Sequence, residues 1–455
     1  MEQTKSKAPL FSTAAIRRLI LPLIIEQFLA VMVGMADTVM IANVGEAAVS
    51  GISLVDTLNI LLINVFTALA TGGAVVSSHY LGGEDQKTAC KAADQLVLVV
   101  LMLATVITSF SLLFNFQILR GIYGRIEPAV MSYARTYFYL TALSFPFLAV
   151  YNGCAAICRS MGNSLISMKV SALMNAINIV GNACLIFGFH MEVEGAGIST
   201  LTSRVVAAVI MVNVVRNQKL PLHISRKFNF RINRYMVAQI MHVGIPVAIE
   251  NGLFQGGKLM VAGLISSFGT VSIAANAVSN TIASFQVIPG TAIGLAIVTV
   301  VGQTVGAKRF DEAKKYTMKL CLLVAAAHLA ICLPMILGLH HIIGFYRMSQ
   351  ETSELAWKVS MIHGICCVLI WPPSFALPNA LRAADDAKFA MVITVLSMIF
   401  CRVLMSYVLG RYMGMGLVGV WIAMILDWVA RASIYLWRYL SGGWLKKHLI
   451  SIDRS

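Results

Sequence analysis

The sequence predicts an all-α polytopic membrane protein: twelve transmembrane helices in two six-helix bundles related by a parallel pseudo-twofold repeat. Three observations carry that prediction. Of 455 residues, 58% are hydrophobic and 12% are charged, and the mean hydropathy is +0.80. A soluble domain carries about 25% charged residues, so this chain has too few polar groups to cover a water-facing surface. Twelve apolar segments reach the roughly 20 residues needed to cross a hydrocarbon core. The chain also resembles itself when shifted by 224 residues.

The segments are 15–44, 47–79, 90–117, 127–152, 165–189, 195–215, 235–267, 271–303, 313–339, 352–380, 388–411 and 417–440. Several exceed the minimum, which implies tilt or extension past the headgroups. Turn chemistry separates them, as in Asn43-Val44-Gly45-Glu46, Gly82-Gly83-Glu84-Asp85 and Gly414-Met415-Gly416. Pro22, Pro146, Pro246, Pro289 and Pro334 fall inside apolar stretches and are expected to kink or interrupt them. The first segment follows a basic opening (Lys5, Lys7, Arg17, Arg18) but contains Glu26 and Asp37 and has no small-residue cleavage site. It therefore reads as a transmembrane helix, not a cleaved signal.

Lysine and arginine orient the spans. With the N-terminus inside, the two termini and the loops on their side hold 25 of the 35 basic residues. The opposite loops hold at most seven: Arg120, Arg125, Arg135, Arg347, Lys358, Arg402 and Arg411. Positive loops stay cytoplasmic, so both termini are expected there, and the net charge of +15 reflects topology, not nucleic-acid binding. The domain reading is an N-lobe over 1–216, a basic cytoplasmic linker over 217–234, a C-lobe over 235–440 and a cytoplasmic tail over 441–455.

The repeat aligns without a gap from about residue 20 to 91. Pro22 and Ile25-Glu26 meet Pro246 and Ile249-Glu250; Gly45 meets Gly269; Asp56-Thr57 meets Asn280-Thr281; Gly82 meets Gly306; Lys91 meets Lys315. After a one-residue slip near Arg159 and Arg382, the offset returns at Gly195 and Gly419. An offset of six helices is a parallel repeat about an axis along the membrane normal, and such halves rock about a site at their interface. The architecture points to a transporter.

Several function classes are excluded. The nine cysteines sit mostly in apolar stretches, and Cys154 and Cys158 share a helical face with no histidine in metal-ligand spacing, so they read as packed thiols. No phosphate-binding G-x-x-x-x-G-K-[ST], no HExxH and no paired-aspartate prenyl motif occurs. No enzyme site, metal site or cofactor is expected, and a chain without an ATP site defaults to a cation gradient.

Ionisable groups inside a bilayer are costly and usually functional. Asp37 lies about 20 residues into helix 1, and Glu26 precedes it by 11 residues, which places the two within about 20° on the helix surface. Together they suggest a polar or cationic pathway, or proton binding; a buried structural acid is the alternative for each. Helix 2 carries Ser53, Asp56, Thr57 and Asn64, and helix 5 carries Asn175, Asn178 and Asn182 on one face. Helix 7 carries Glu250 and Lys258 about 80° apart, so pairing is not forced and Lys258 is free to bond an acid elsewhere. Asp427 and Arg431 are an i, i+4 pair that reads as self-neutralising structure.

With these residues in view, the chain resembles the multidrug and toxic compound extrusion (MATE) family over nearly its whole length. The resemblance rests on Leu21-Pro22, Ala36-Asp37-Thr38 and Asn43-Val44-Gly45, on Tyr80-Leu81-Gly82, and on Arg159-Ser160-Met161-Gly162. It continues through Asn175-Ala176-Ile177-Asn178-Ile179 and Gly195-Ala196-Gly197-Ile198-Ser199-Thr200. The second half echoes these in Gly244-Ile245-Pro246, Gly302-Gln303-Thr304-Val305-Gly306-Ala307 and Gly419-Val420-Trp421-Ile422-Ala423. The resemblance implies two bundles around a central cleft open to one side at a time. Organic, often cationic, drug-like compounds would be exported in exchange for Na+ or H+. It implies a cation-coupling site of Asp37, Asn178 and Thr200, with Asn182 where the family usually has a second aspartate. Asp37 is then the sole titrating member. The C-lobe acids that one branch of the family uses are not matched: Gln255 stands near the helix 7 position, with Glu250 over one turn earlier, and helix 10 has no intramembrane acid. A substrate cleft of Glu26, Asp56, Asn64, Glu250, Gln255 and Lys258 is expected, its acids favouring cationic amphipaths.

A lipid-linked oligosaccharide flippase of related architecture is the main alternative. It would want a basic cleft, and Lys258 with Arg204 or Arg402 is set here against several acids. A major-facilitator transporter would carry a different loop after helix 2, and a membrane-embedded enzyme would need a catalytic cluster at one face. The expected partners are small organic molecules and the lipid bilayer, not nucleic acid, for a monomer in the plasma membrane.

Overall fold

The computed structural model describes residues 9–124, 126–225 and 231–445. Lys5, Lys7, Arg125, Arg226, Lys227, Lys446, Lys447 and Arg454, which entered the charge count, lie outside the described residues, as do parts of the linker and the tail.

The long helices are α1 (Thr13–Ala42), α2 (Glu46–Gly82), α3 (Gln86–Leu113), α4 (Pro128–Ser160), α5 (Ser164–Gly188) and α6 (Val193–Val215). The second half supplies α7 (Arg234–Ser266), α8 (Thr270–Gly306), α9 (Phe310–Leu337), α10 (Gln350–Leu369 with Pro372–Ala383), α11 (Ala387–Tyr412) and α12 (Gly416–Leu440). Side chains start several of them: Ser12 accepts from the Ala15 amide, Asn233 from Met236 and Ser349 from Thr352. Asp85 caps α3, and the Thr88 donors that bond its carboxylate hold its pKa below the usual range.

Among the described residues, eleven helices are individually long and apolar enough to span, and α10 makes the twelfth only as two segments bent by 66°. This corrects the unbroken span 352–380. The break falls at Ile370-Trp371 before Pro372-Pro373, where two successive residues lack the N–H that would continue the helix. Of the five prolines expected to kink or interrupt helices, none interrupts one: each lies inside a helix that continues on both sides. A single proline removes one bond; the Pro-Pro pair removes two in a row.

The sequence repeat is a backbone repeat. Five interhelical turns need a left-handed residue, and each recurs in the second half. Gly45 (φ 135°) pairs with Gly269 (91°), Glu84 (61°) with Lys308 (58°), Gly124 (68°) with Arg347 (48°), Gly162 (76°) with Asp385 (63°), and His190 (52°) with Gly414 (71°). Non-glycine residues tolerate this region poorly, so the conformations follow from the shared turn geometry.

Two hydrophobic cores form, one largely from α2–α6 and one largely from α8–α12. They exchange first helices at their edges: Ile16, Leu19, Ile20 and Leu23 of α1 join the second core, and Ile240, Val243 and Val247 of α7 join the first. At the end that carries both described termini, α2 and α8 cross. A Cβ on Gly82 would overlap the carbonyl of Gln303, and one on Gly306 would overlap that of His79. The hydrogen bonds reciprocate as well. Gln303 Nε2 donates to the Ser160 carbonyl, and a ring nitrogen of His79 lies 2.6 Å from the Ala383 carbonyl. Each contact has its repeat-related counterpart, as a twofold interface requires.

Gly306→Val should therefore open this end. A single cysteine placed at Ser78, which is fully buried beside the crossing, should be protected from a polar maleimide in the parent and labelled in the variant. The rate should rise about tenfold for each 1.4 kcal/mol by which the closed arrangement is weakened. Unchanged labelling would show that the crossing does not hold this end shut.

Candidate functional site

In the first half, α1, α2, α4, α5 and α6 enclose a cavity of about 360 Å3. Asp37, Asp56, Tyr137, Asn175, Asn178, Asn182, Thr200, Ser203 and Arg204 line it. The Asn182 amide donates to Asp37 Oδ1 at 2.8 Å. In the amide orientation that satisfies both its ends, Asn178 donates to the two Asp37 oxygens at 3.0 and 3.2 Å and accepts from the Thr200 hydroxyl at 3.2 Å. The sequence-predicted set Asp37, Asn178, Asn182 and Thr200 is thus brought together, with neutral donors on a carboxylate that no guanidinium or ammonium within 4 Å neutralises among the described residues. Directly after Asn182 the helix widens to π geometry over Ala183–Gly188. Its repeat counterpart, Ser406–Tyr412, is also π-helical, and such bulges recur at functional sites.

Asp56 faces the same cavity, where the Asn59 amide lies 3.5 Å from Oδ1 and the Tyr137 hydroxyl faces the carboxylate. Arg204, unassigned from sequence, supplies the cavity's one positive charge among the described residues; its Nη1 donates to Ser144 at 2.7 Å. The signal for it was present: Arg204 is one turn beyond Thr200 and so on the same face of α6.

The other expected cleft residues disperse. Glu26 is buried, accepts from Ser167 at 3.0 Å and lies 4.0 Å from Arg159. Glu250 is also buried, and is held by Arg382 at 2.5 Å and by Thr394 at 2.9 Å. These are repeat-related versions of one Glu–Arg clasp that ties the first helix of each half to the end of its fourth. Two of the three acids expected to charge the cleft are therefore matched by guanidinium groups. Asn64 lines neither of the two cavities described in this section. Gln255 and Lys258 line the second of them, of about 410 Å3, in the other half. Arg402, counted with the outer loops, lies inside α11 and lines that cavity too.

The MatE family model matches the chain twice, over residues 22–184 and 246–408, two segments of equal length 224 residues apart. The chain belongs to the MatE family. The uncharacterized transporter YisQ of Bacillus subtilis is 27% identical to it over 453 residues, covering 98% of each chain. The probable multidrug resistance protein NorM of Thermotoga maritima is 26% identical over 451 residues, covering 96% of this chain and 94% of its own. An outward-facing structure of a multidrug resistance MATE family transporter of the MOP superfamily superposes with a TM-score of 0.89 at 18% identity, covering 95% and 96%. That likeness establishes the shared fold. MatE proteins are transporters, so this multi-pass membrane protein is a transporter and not an enzyme.

Proposed function

We propose that this MatE protein is a secondary antiporter of the plasma membrane that exports organic, drug-like compounds in exchange for Na+ or H+. Both termini face the cytoplasm, the protein works as a monomer, and the halves over 1–216 and 235–440 alternate access around the cleft between them. One observation carries the reading: Asp37 is a carboxylate inside a bilayer-spanning lobe, met by the neutral amides of Asn178 and Asn182. Such a charge is costly in a membrane interior, and binding a proton or Na+ removes the cost. The cation then biases the two lobe arrangements by its differential affinity, without touching the cargo. On the lysine and arginine orientation, the crossing of α2 and α8 closes the cytoplasmic end. Asp56 beside Asp37 leaves the N-lobe cavity with two acids against one guanidinium, which favours amphipathic cations near it.

The test is efflux of a fluorescent organic cation from proteoliposomes, with Na+ and pH gradients imposed separately. Efflux driven by one gradient and collapsed by the matching ionophore is expected. Equal release with neither gradient would overturn ion-coupled export.

A further inference from the structure

We infer that the C-lobe cavity is an anion site that takes the carboxylate of an organic acid or zwitterion, with Lys258 and Arg402 as its recognition groups. The inference rests on the proposed function only in treating the cleft as the path of the cargo. Lys258, Arg402, Gln255, Asn276, Asn280 and Trp421 are among its lining residues, and no aspartate or glutamate is. Thr57, Ile60 and Leu61 of α2 complete the wall, so the cavity opens on the cleft between the halves.

The surrounding charges do not cancel. Arg402 has a carboxylate at 3.8 Å, that of Asp427, but Asp427 already accepts from Arg431 at 2.6 Å and from Ser397 at 2.5 Å. Lys258 has no carboxylate within 4 Å among the described residues, and the charge that acts on it is another cation, Arg402. Glu250, two turns earlier on α7, is held by Arg382. The three cations gather around one ring: Lys258 Nζ, Arg402 Cζ and Arg431 Cζ lie 5.5, 5.4 and 5.5 Å from the centre of Phe254. Three positive groups thus share one carboxylate, a surplus of two charges in a membrane interior.

Unbalanced charge in such a place is costly, and an anion entering the cavity relieves it. Arginine offers a planar fork for a carboxylate and lysine a mobile point charge. The Asn276 oxygen already accepts from Trp421 Nε1 at 3.1 Å, which leaves its N–H2 end, a donor, for a ligand. Trp421 and Met424 supply an apolar wall, and the volume suits a small amphipath. The first half's cavity has the opposite surplus, with Asp37 and Asp56 against Arg204. The two lobes therefore present opposite polarity to the cleft.

The test uses the full chain in phosphatidylcholine nanodiscs with no gradient. Binding of 1-pyrenebutyric acid is compared with that of its primary amide by energy transfer from tryptophan. The acid should bind about tenfold tighter or more, in keeping with charge-assisted hydrogen bonds to a carboxylate. Lys258→Gln should reduce acid binding about tenfold while leaving the amide unchanged. Lys258→Glu, at a side chain that lines the cavity and belongs to neither hydrophobic core, should abolish the preference. Equal binding of acid and amide by the parent, or a preference that survives Lys258→Glu, overturns the inference. So does loss of acid binding when phosphatidylglycerol replaces part of the lipid, since the anion taken would then be a lipid headgroup. Without a gradient this measurement is independent of ion coupling, so the anion site and ion-driven export fail separately.

Discussion

Asp37→Asn should reduce gradient-driven efflux to background, a loss on the order of a hundredfold, while membrane insertion and monodispersity in detergent stay unchanged. The substitution keeps the shape of the side chain and one acceptor oxygen for the amides of Asn178 and Asn182, so packing around α1 is not disturbed. What it removes is the charge. Without it, a proton or Na+ has nothing to neutralise and no reason to favour one arrangement of the halves. Glu26→Gln on the same helix face is the matched control, because Glu26 is already held by Ser167 and faces Arg159. Retained efflux in Asp37→Asn would refute the coupling role, and Asp56, in the same cavity, would be the next residue to test.

Arg382→Met should destabilise the folded protein by about 3–5 kcal/mol, read as an earlier thermal transition in detergent. Arg382 donates to Glu250 and, through Nη1, to Asn379 at 2.7 Å; without it Glu250 remains a buried, uncompensated charge. Adding Glu250→Met to the same protein should recover most of the loss. Breaking a buried pair costs far more than replacing both partners by apolar residues of similar size. Glu250 Oε2 and Arg382 Nε have no hydrogen-bond partner among the described residues, which favours that recovery. In the first half, Arg159→Met should cost less, because the repeat-related pair is looser at 4.0 Å. A double variant no more stable than Arg382→Met would show that the clasp is held by more than charge.

Much of the molecule was legible from local pattern. Because the thickness of a bilayer sets a length that sequence either meets or does not, the apolar segments located the helix ends to within about four residues, except that α4 runs on from the expected end at 152 to Ser160. The exception was α10, where the informative pair was Pro372-Pro373 and not the five isolated prolines. The repeat was legible because it is a register, and the left-handed turns at Gly45/Gly269 and Glu84/Lys308 follow from it. The grouping of Asp37, Asn178, Asn182 and Thr200 came from the family resemblance, since three helices converge there and no periodicity links them. Arg204 was visible as a charge in an apolar stretch and Arg402 was counted with the outer loops, and the partners of neither were legible.

The sequence by itself determined the solvent this chain folds in, the number of its crossings, its duplication, and the presence of an acid near the C-terminal end of the first helix. Only the tertiary structure decided which charges meet: Glu26 faces Arg159 and Glu250 binds Arg382, while Lys258 is left facing Arg402. The physical reason is that helix formation and membrane burial are local free energies, summed over neighbouring residues. Charge pairing depends instead on how far each helix is rotated and how it crosses the next, over separations of more than a hundred residues. The polarity of each cavity is the remainder of that pairing, and so it could be read only after the helices had been placed.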